Sequence, residues 1–145
     1  MNNYLFQGKL IDEKKSWEWI KSSLSEMNQD GTLISAYIKK SILEEISDHI
    51  NDQKIRVLAR WNLMDLVGGA SDIDCYQLAK KQGWDFYIDM HLHAKIYSLP
   101  PNGSLIGSAN ATNAGLGFSA SSNHEACTVV DSDKDNSNFI NNMFK

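Results

Sequence analysis

The sequence has little proline, little cysteine and no long hydrophobic run, and each shortage excludes a class of protein. Only two of its 145 residues are proline and two are cysteine. Two cysteines, Cys75 and Cys127, are too few for a disulfide-built scaffold, and their spacing fits no metal site. No segment approaches the roughly 20 apolar residues that span a bilayer. The first 15 residues are polar and lack the pattern of a secretory signal, so we expect a cytoplasmic protein that makes no use of a membrane.

The sequence also lacks an excess of basic residues. Its formal net charge is −4, which argues against a protein that holds nucleic acid by general electrostatics alone. A local basic pocket is compatible with this charge. Five basic side chains lie close together in sequence and either form such a pocket or are solvated at the ends of elements: Lys39, Lys40, Lys54, Arg56 and Arg60.

Composition and periodicity indicate one folded domain. Apolar residues make up 42% and charged residues 22% of the chain, as in soluble globular proteins, and residues 1–145 are enough for a single domain with its own core. The apolar spacing predicts helices near 16–28, 41–50, 72–81 and 136–144. Strands are predicted near 32–38, 54–61, 84–89, 91–99, 104–107 and 125–130, with loops at 66–71 and 110–122.

Turn and cap residues refine this prediction. Ser41 and Glu44 form a capping-box pattern, Asp72 or Asp74 could cap the following helix, and Gly83 would end it. Asn102-Gly103 predicts a hairpin. Strands that alternate with helices and then form a hairpin predict an α/β fold with a mixed β-sheet flanked by helices.

A cluster of reactive residue types falls between residues 93 and 125. Side chains alternate along a strand, so His91, His93, Lys95 and Tyr97 would share one face, while the apolar residues between them would face the core. The hairpin at Asn102-Gly103 then returns the chain beside His93. We expect Ser108 and Asn110, at the exit of the return strand, to lie near the histidine, with Glu125 on a third side.

These residue types suit an attack on a phosphodiester. Lys95 would offset the charge on the non-bridging oxygens, and Asn110 and Ser108 would donate hydrogen bonds to them. A neutral His93 imidazole can attack phosphorus directly. A carboxylate such as Glu125 would hold the required tautomer, and a second, protonated histidine would protonate the leaving oxygen.

The pattern His-x-Lys, Gly-Ser-x-Asn and a later glutamate resembles the catalytic motif of the phospholipase D superfamily. The resemblance is greatest for its branch of small bacterial endonucleases and restriction enzymes. It implies a phosphohistidine intermediate formed on His93, phosphate binding by Lys95 and Asn110, and a secondary phosphate contact from Ser108. It also implies that Glu125 orients His93 and that no metal or other cofactor is needed.

The motif departs from the family pattern in one position and in its copy number. Pro100 stands where the lipid-cleaving members have an aspartate, which favours the nuclease-like branch. The family's active site uses two motifs, and this chain holds one. The resemblance therefore implies a homodimer in which His93 of one subunit attacks and its twin acts as the general acid.

We expect a metal-independent phosphodiesterase that cleaves nucleic acid, DNA foremost, either as a whole protein or as the nuclease domain of a larger restriction or defence protein. Three alternatives remain open. One is phospholipid hydrolysis or phosphatidyl transfer by the same site. Another is a non-catalytic dimerisation or DNA-binding module. A third is zinc binding by His91 and His93 with Asp89 or Glu125, since two imidazoles on one strand face can share a metal.

Overall fold

A six-stranded β-sheet with helices on both faces forms the body of the protein in the computed structural model, which describes residues 6–145. The helices are α1 Glu13–Glu26, α2 Lys40–His49, α3 Leu63–Val67, α4 Asp74–Gln82 and α5 Lys134–Asn142. The strands are β1 Gly31–Ser35, β2 Ile55–Ala59, β3 Phe86–Ile88, β4 Lys95–Ser98, β5 Ser104–Gly107 and β6 Cys127–Val130.

The sheet is mixed, with the order β3-β2-β1-β4-β5-β6. The first three strands run parallel, because helices connect each of them to the next. From β4 onward each strand runs antiparallel to its neighbour. The hairpin predicted at Asn102-Gly103 joins β4 to β5, and the prediction of an α/β fold with a mixed sheet is confirmed.

Two hydrophobic layers cover the sheet. The larger lies under α1, α2 and α4 and includes Trp19, Ile42 and Ala79. The smaller lies under α5 and includes Ile96 and Ile140. The central strand β4 is buried on both faces, since its neighbouring residues Ile96 and Tyr97 belong to different layers. The sheet is thereby a rigid support for the residues at its two ends.

The helix caps predicted at Ser41 and at Asp72 or Asp74 are wrong. Helix α2 begins one residue earlier, after Lys39, and Ser41 donates its hydroxyl hydrogen to Asn113 instead of capping the helix. The first turn of α2 is satisfied from outside, because the Lys40 N–H donates to Asp72 Oδ2 over 2.8 Å. Asp72 therefore ties α2 to the segment before α4, where the residue preceding the helix makes no side-chain cap.

The end of the same helix was predicted correctly. Gly83 follows α4 in the left-handed conformation, with φ of 76°, which glycine adopts without a steric penalty. The predicted loop at 66–71 is partly wrong, because its first two residues complete the short helix α3. Asn62 begins that helix by accepting from the Asp65 N–H over 2.9 Å.

The five basic residues do not form one pocket. Lys54 and Arg56 lie at the start of β2, whereas Arg60 follows its end. Lys39 is paired with Asp72 over 2.8 Å. Of the two interpretations that the sequence left open, a single pocket formed by all five residues is therefore wrong. Among the helices that the structure describes between residues 6 and 145, none has both the length and the hydropathy to cross a membrane.

Candidate active site

The register of the sheet places five residues in one row across five strands. Ser35 at the end of β1 pairs with Ala59 at the end of β2 and with Lys95 at the start of β4. Gly107 at the end of β5 pairs with Cys127 at the start of β6. We call this row and the loops that leave it the site end of the sheet. The opposite row is the far end.

His93 and Lys95 meet at the site end. The strand predicted for 91–99 is shorter than expected: β4 begins at Lys95, and His91 and His93 lie in the segment before it. The expectation that both histidines share a strand face with Tyr97 is therefore wrong. The Lys95 Nζ nevertheless donates to His93 Nε2 over 3.3 Å. An ammonium only donates, so this contact places the proton of a neutral imidazole on Nδ1.

Lys95 lies in a mixed electrostatic environment. Partial burial lowers the pKa of its ammonium, and the positive charge of Arg60 lowers that pKa further. The carboxylate of Glu125 acts in the opposite direction and raises the pKa. His93 beside it is exposed. The pair thus places a positively charged hydrogen-bond donor beside an exposed imidazole ring at the surface.

Gly107 and Ser108 bring the end of β5 against the start of β6. A Cβ atom on Gly107 would lie 2.3 Å from the Ala126 carbonyl oxygen, so the approach requires glycine. The Ser108 N–H donates to Ala126 O over 3.1 Å, and Ala126 N–H donates to Ser108 Oγ over 3.0 Å. The Ser108 hydroxyl then donates to Glu125 Oε1 over 3.1 Å.

Glu125 is therefore held by Ser108 in this arrangement. Within residues 6–145 no hydrogen bond joins Glu125 to His93. The role of Glu125 in orienting His93 stays a prediction. Its negative charge raises the pKa of the Lys95 ammonium, so the acid lies near Lys95 at the site end.

Asn110 is anchored through its amide oxygen. The Tyr37 N–H donates to Asn110 Oδ1 over 3.3 Å, and the Ser35 hydroxyl lies 3.2 Å from the same oxygen. A backbone N–H only donates, so the oxygen must face Tyr37 and the amide nitrogen must point the other way. No acceptor within the described residues is bonded to Asn110 Nδ2, which leaves this donor available.

Ser35 holds the loop that bears Asn110. Its Oγ accepts from the Ala111 N–H over 2.9 Å, and a parallel bridge joins Ile38 to Ala111. The Tyr97 hydroxyl donates to Ala109 O over 2.9 Å from a buried position. The turn after Gly-Ser is therefore fixed on both sides.

The sequence placed Arg60 among five basic residues of a possible pocket but did not connect it with the segment that carries His93. Its guanidinium donates to Asp65 over 3.0 Å, to the Tyr37 hydroxyl over 2.7 Å and to the Leu92 carbonyl over 3.4 Å. Leu92 precedes His93, so Arg60 supports the segment that carries the histidine. A basic residue placed directly after a buried strand was the available signal.

The residues of the zinc alternative do not converge. His91 is exposed and its N–H donates to Asp89 Oδ1 over 2.9 Å. In the part of the chain that the structure describes, residues 6–145, no three histidine, cysteine, aspartate or glutamate side chains are grouped as metal ligands would be. The structure brings His93, Lys95, Asn110 and the Ser108–Glu125 pair to one end of the sheet, and leaves His91 outside this group.

Comparison with solved structures identifies the fold. NucT from Helicobacter pylori matches with a TM-score of 0.66 at 15% identity, covering 96% of this chain and 93% of that one. Nuc from Salmonella typhimurium, a phospholipase D family member, matches with a TM-score of 0.63 at 13% identity, covering 92% and 90%. TrmBL2, an archaeal chromatin protein with a novel mode of DNA binding, matches with a TM-score of 0.57 at 13% identity, covering 94% of this chain and 50% of that one.

Sequence comparison alone does not find these similarities: no family model matches the chain, and no curated protein matches its sequence. The structural likeness extends over nearly the whole chain. The protein has the fold of the phospholipase D family.

Proposed function

We propose that the chain is a single catalytic domain that hydrolyses phosphodiesters in nucleic acid, DNA foremost, without a metal. The observation that carries this proposal is the meeting of His93 Nε2 and Lys95 Nζ, 3.3 Å apart, at the site end of a phospholipase D-like sheet. The free amide donor of Asn110 and the carboxylate of Glu125 lie at the same end of the sheet.

The reaction follows from the chemistry of these groups. His93 Nε2 forms a bond to phosphorus as the bond to the leaving oxygen breaks, and an acid must give that oxygen a proton. Lys95 and Asn110 hold the non-bridging oxygens as charge grows on them. Water then attacks the phosphohistidine, the P–N bond breaks, and a phosphate monoester leaves.

Among residues 6–145 of one subunit we assign no general acid beside His93. We propose that His93 of a second subunit provides it in a homodimer whose site is shared across a twofold axis. The exposed position of His93 suits this arrangement, because a histidine enclosed by its own chain could not face its twin. The twin would then activate the water of the second step.

DNA is proposed as the substrate on two grounds. The motif resembles that of small endonucleases, and TrmBL2, a protein of similar fold, binds DNA. The net charge of −4 means that affinity must come from the local site or from other sequence, not from the overall field.

A second candidate is phospholipid cleavage, and one feature favours it. An apolar groove of about 460 Å³ lies between α5 and β4–β6, bordered by Lys95 and Gly107 and lined by Ile106 and Phe139. An acyl chain could occupy such a groove beside the phosphate site. Hydrolysis of lipid vesicles without cleavage of DNA would select this function over the first.

The main test is cleavage of labelled DNA and RNA oligonucleotides in excess chelator. The wild-type chain should cleave, and His93→Ala should be slower by at least about 10³-fold, because the nucleophile is gone. His91→Ala is the matched control, two positions away and also exposed, and should retain activity. Cleavage that needs added divalent metal and is lost in His91→Ala would instead support zinc. Binding without turnover, unaltered in His93→Ala, would identify a non-catalytic module.

The shared site has its own test. Wild-type and His93→Ala chains, co-expressed in equal amounts, should form dimers of which about one quarter carry two intact histidines. Activity of about one quarter of the wild-type value supports a site that needs both rings. Activity of about one half would show that each subunit works alone.

A further inference from the structure

The segment that carries Glu125 has no regular structure of its own. Residues 121–126 precede β6 and belong to no helix or strand. The next residue is fixed by a two-way pair with the N-terminal segment, in which the Ile11 N–H donates to Cys127 O over 2.8 Å and the Cys127 N–H donates to Ile11 O over 2.9 Å. The N-terminal segment is thus in contact with the chain that presents the acid.

A second contact from the N-terminal segment reaches Glu125 itself. Glu13, the first residue of α1, accepts the Glu125 N–H on its carboxylate over 3.0 Å, across 112 positions of sequence. This hydrogen bond is the largest of the effects that lower the pKa of the Glu13 carboxyl. Glu13 is therefore ionised at neutral pH and able to hold this bond.

We propose that Glu13 is a positioning residue for Glu125, and the inference rests on the proposed function. Glu13 fixes the main chain of Glu125, and Ser108 fixes its side chain by donating to Oε1 over 3.1 Å. Together they set the place of the carboxylate relative to His93 and Lys95. A carboxylate meant to meet an imidazole needs such support, since a misplacement of about 1 Å can cost about 10²-fold in rate.

Glu13 also has a simpler structural role that the test must separate. It lies in the first turn of α1, where any acidic side chain stabilises the helix by its favourable interaction with the helix dipole. Glu13→Gln loses the charge but keeps an oxygen that accepts the Glu125 N–H. Glu13→Ala loses both. Asp12→Ala removes the neighbouring cap, which accepts from the Lys15 N–H over 2.9 Å, and leaves the Glu125 contact intact.

The experiment measures kcat and KM for DNA cleavage in chelator, at a temperature where circular dichroism shows every variant folded. Glu13→Ala should lower kcat by about 10-fold to 10²-fold with KM little changed, and Glu13→Gln should recover most of that loss. Asp12→Ala should melt at a lower temperature and keep the wild-type kcat. Amide exchange at Glu125 should be faster in Glu13→Ala than in the wild type or Glu13→Gln.

Two failures can be told apart. If the wild-type chain cleaves and Glu13→Ala has the same kcat, or if Glu13→Gln is as slow as Glu13→Ala, the positioning role is refuted while the proposed function stands. If the wild-type chain cleaves no phosphodiester, the proposed function is refuted and the inference falls with it.

Discussion

Both ends of the sheet carry basic and polar side chains, but the two ends differ in how these side chains are hydrogen-bonded. At the far end, Lys54 Nζ donates to the Gln82 carbonyl over 3.0 Å, and the Lys54 N–H donates to Asp30 over 2.9 Å. Arg56 Nε donates to the Thr32 hydroxyl over 2.9 Å. These groups line a cleft of about 350 Å³, yet their hydrogen bonds serve the fold.

At the site end the functional groups are held but not used up. Lys95 contacts the His93 ring. The amide oxygen of Asn110 accepts from the Tyr37 N–H, while its amide nitrogen stays available. A polar cleft such as the one at the far end is therefore not by itself a reactive site. At the site end, the Asn110 side chain is fixed by a hydrogen bond at one atom and keeps a free donor at another. Such a donor is held in place before the substrate arrives, so the site is preorganised.

The largest difference in activity should come from replacing a lysine by methionine, first at one end of the sheet and then at the other. Lys95→Met should lower kcat/KM by about 10²-fold to 10³-fold, roughly 2.7–4 kcal/mol, because charge in the transition state loses its partner. Lys54→Met at the far end should leave kcat/KM unchanged. Steady-state cleavage in chelator measures both. Equal losses in the two variants would mean that the ends do not differ in function.

The two polar atoms of the Asn110 side chain have different predicted roles, which two substitutions can separate. Asn110→Asp keeps the acceptor for the Tyr37 N–H but replaces the free donor with a negative charge, so kcat/KM should fall by about 10²-fold. Asn110→Ala should also destabilise the fold by about 1–3 kcal/mol, since the Tyr37 N–H loses its partner. Kinetics and urea unfolding separate the two effects. An Asp variant with wild-type kcat/KM would contradict phosphate binding by this amide.

The smallest effect is a shift in pH dependence. Burial and Arg60 lower the pKa of Lys95 below its ordinary value of 10.5, whereas Glu125 raises it. If phosphate binding needs the ammonium, kcat/KM should fall as pH rises through this lowered pKa. Glu125→Gln removes the raising charge and should move the fall to lower pH.

Ser108→Ala is the control for that shift, because it cuts the hydrogen bond to Glu125 while leaving the charge in place. Its alkaline fall should stay near the wild-type position, and an equal shift in both variants would contradict the assignment. The same ionisation affects stability with a defined sign. Because the pKa of Lys95 is lowered in the folded state, the unfolded chain binds the proton more tightly. The free energy of unfolding therefore rises as pH rises from this lowered pKa to the ordinary value of 10.5.

Local sequence was enough to predict most of the fold. The alternation around Ile96 predicted a buried strand, Gly83 predicted the end of α4, and Asn102-Gly103 predicted the hairpin that brings Ser108 back beside β4. These features depend on neighbouring residues, so a single sequence contains them. The sheet order could then be limited by short connections and right-handed crossovers.

The remaining parts of the site depend on distant contacts. The cap of α2 comes from Asp72, the support of the His93 segment comes from Arg60, and the Glu125 N–H is held by Glu13. Each partner is separated from its target by tens of residues, so no spacing rule reveals it. The strand start at Lys95 was also misplaced, because an apolar alternation continues into the irregular segment before it.

Trapping the proposed phosphohistidine tests most directly whether His93 is the nucleophile. Wild-type chain and a labelled oligonucleotide react in excess chelator, are quenched in base at short times, and the labelled peptide is mapped by mass spectrometry. An acid-labile adduct on His93 should form and decay at the rate of cleavage, and it should be missing in His93→Ala. Complete cleavage with no adduct, or with an adduct on another residue, would contradict this role of His93.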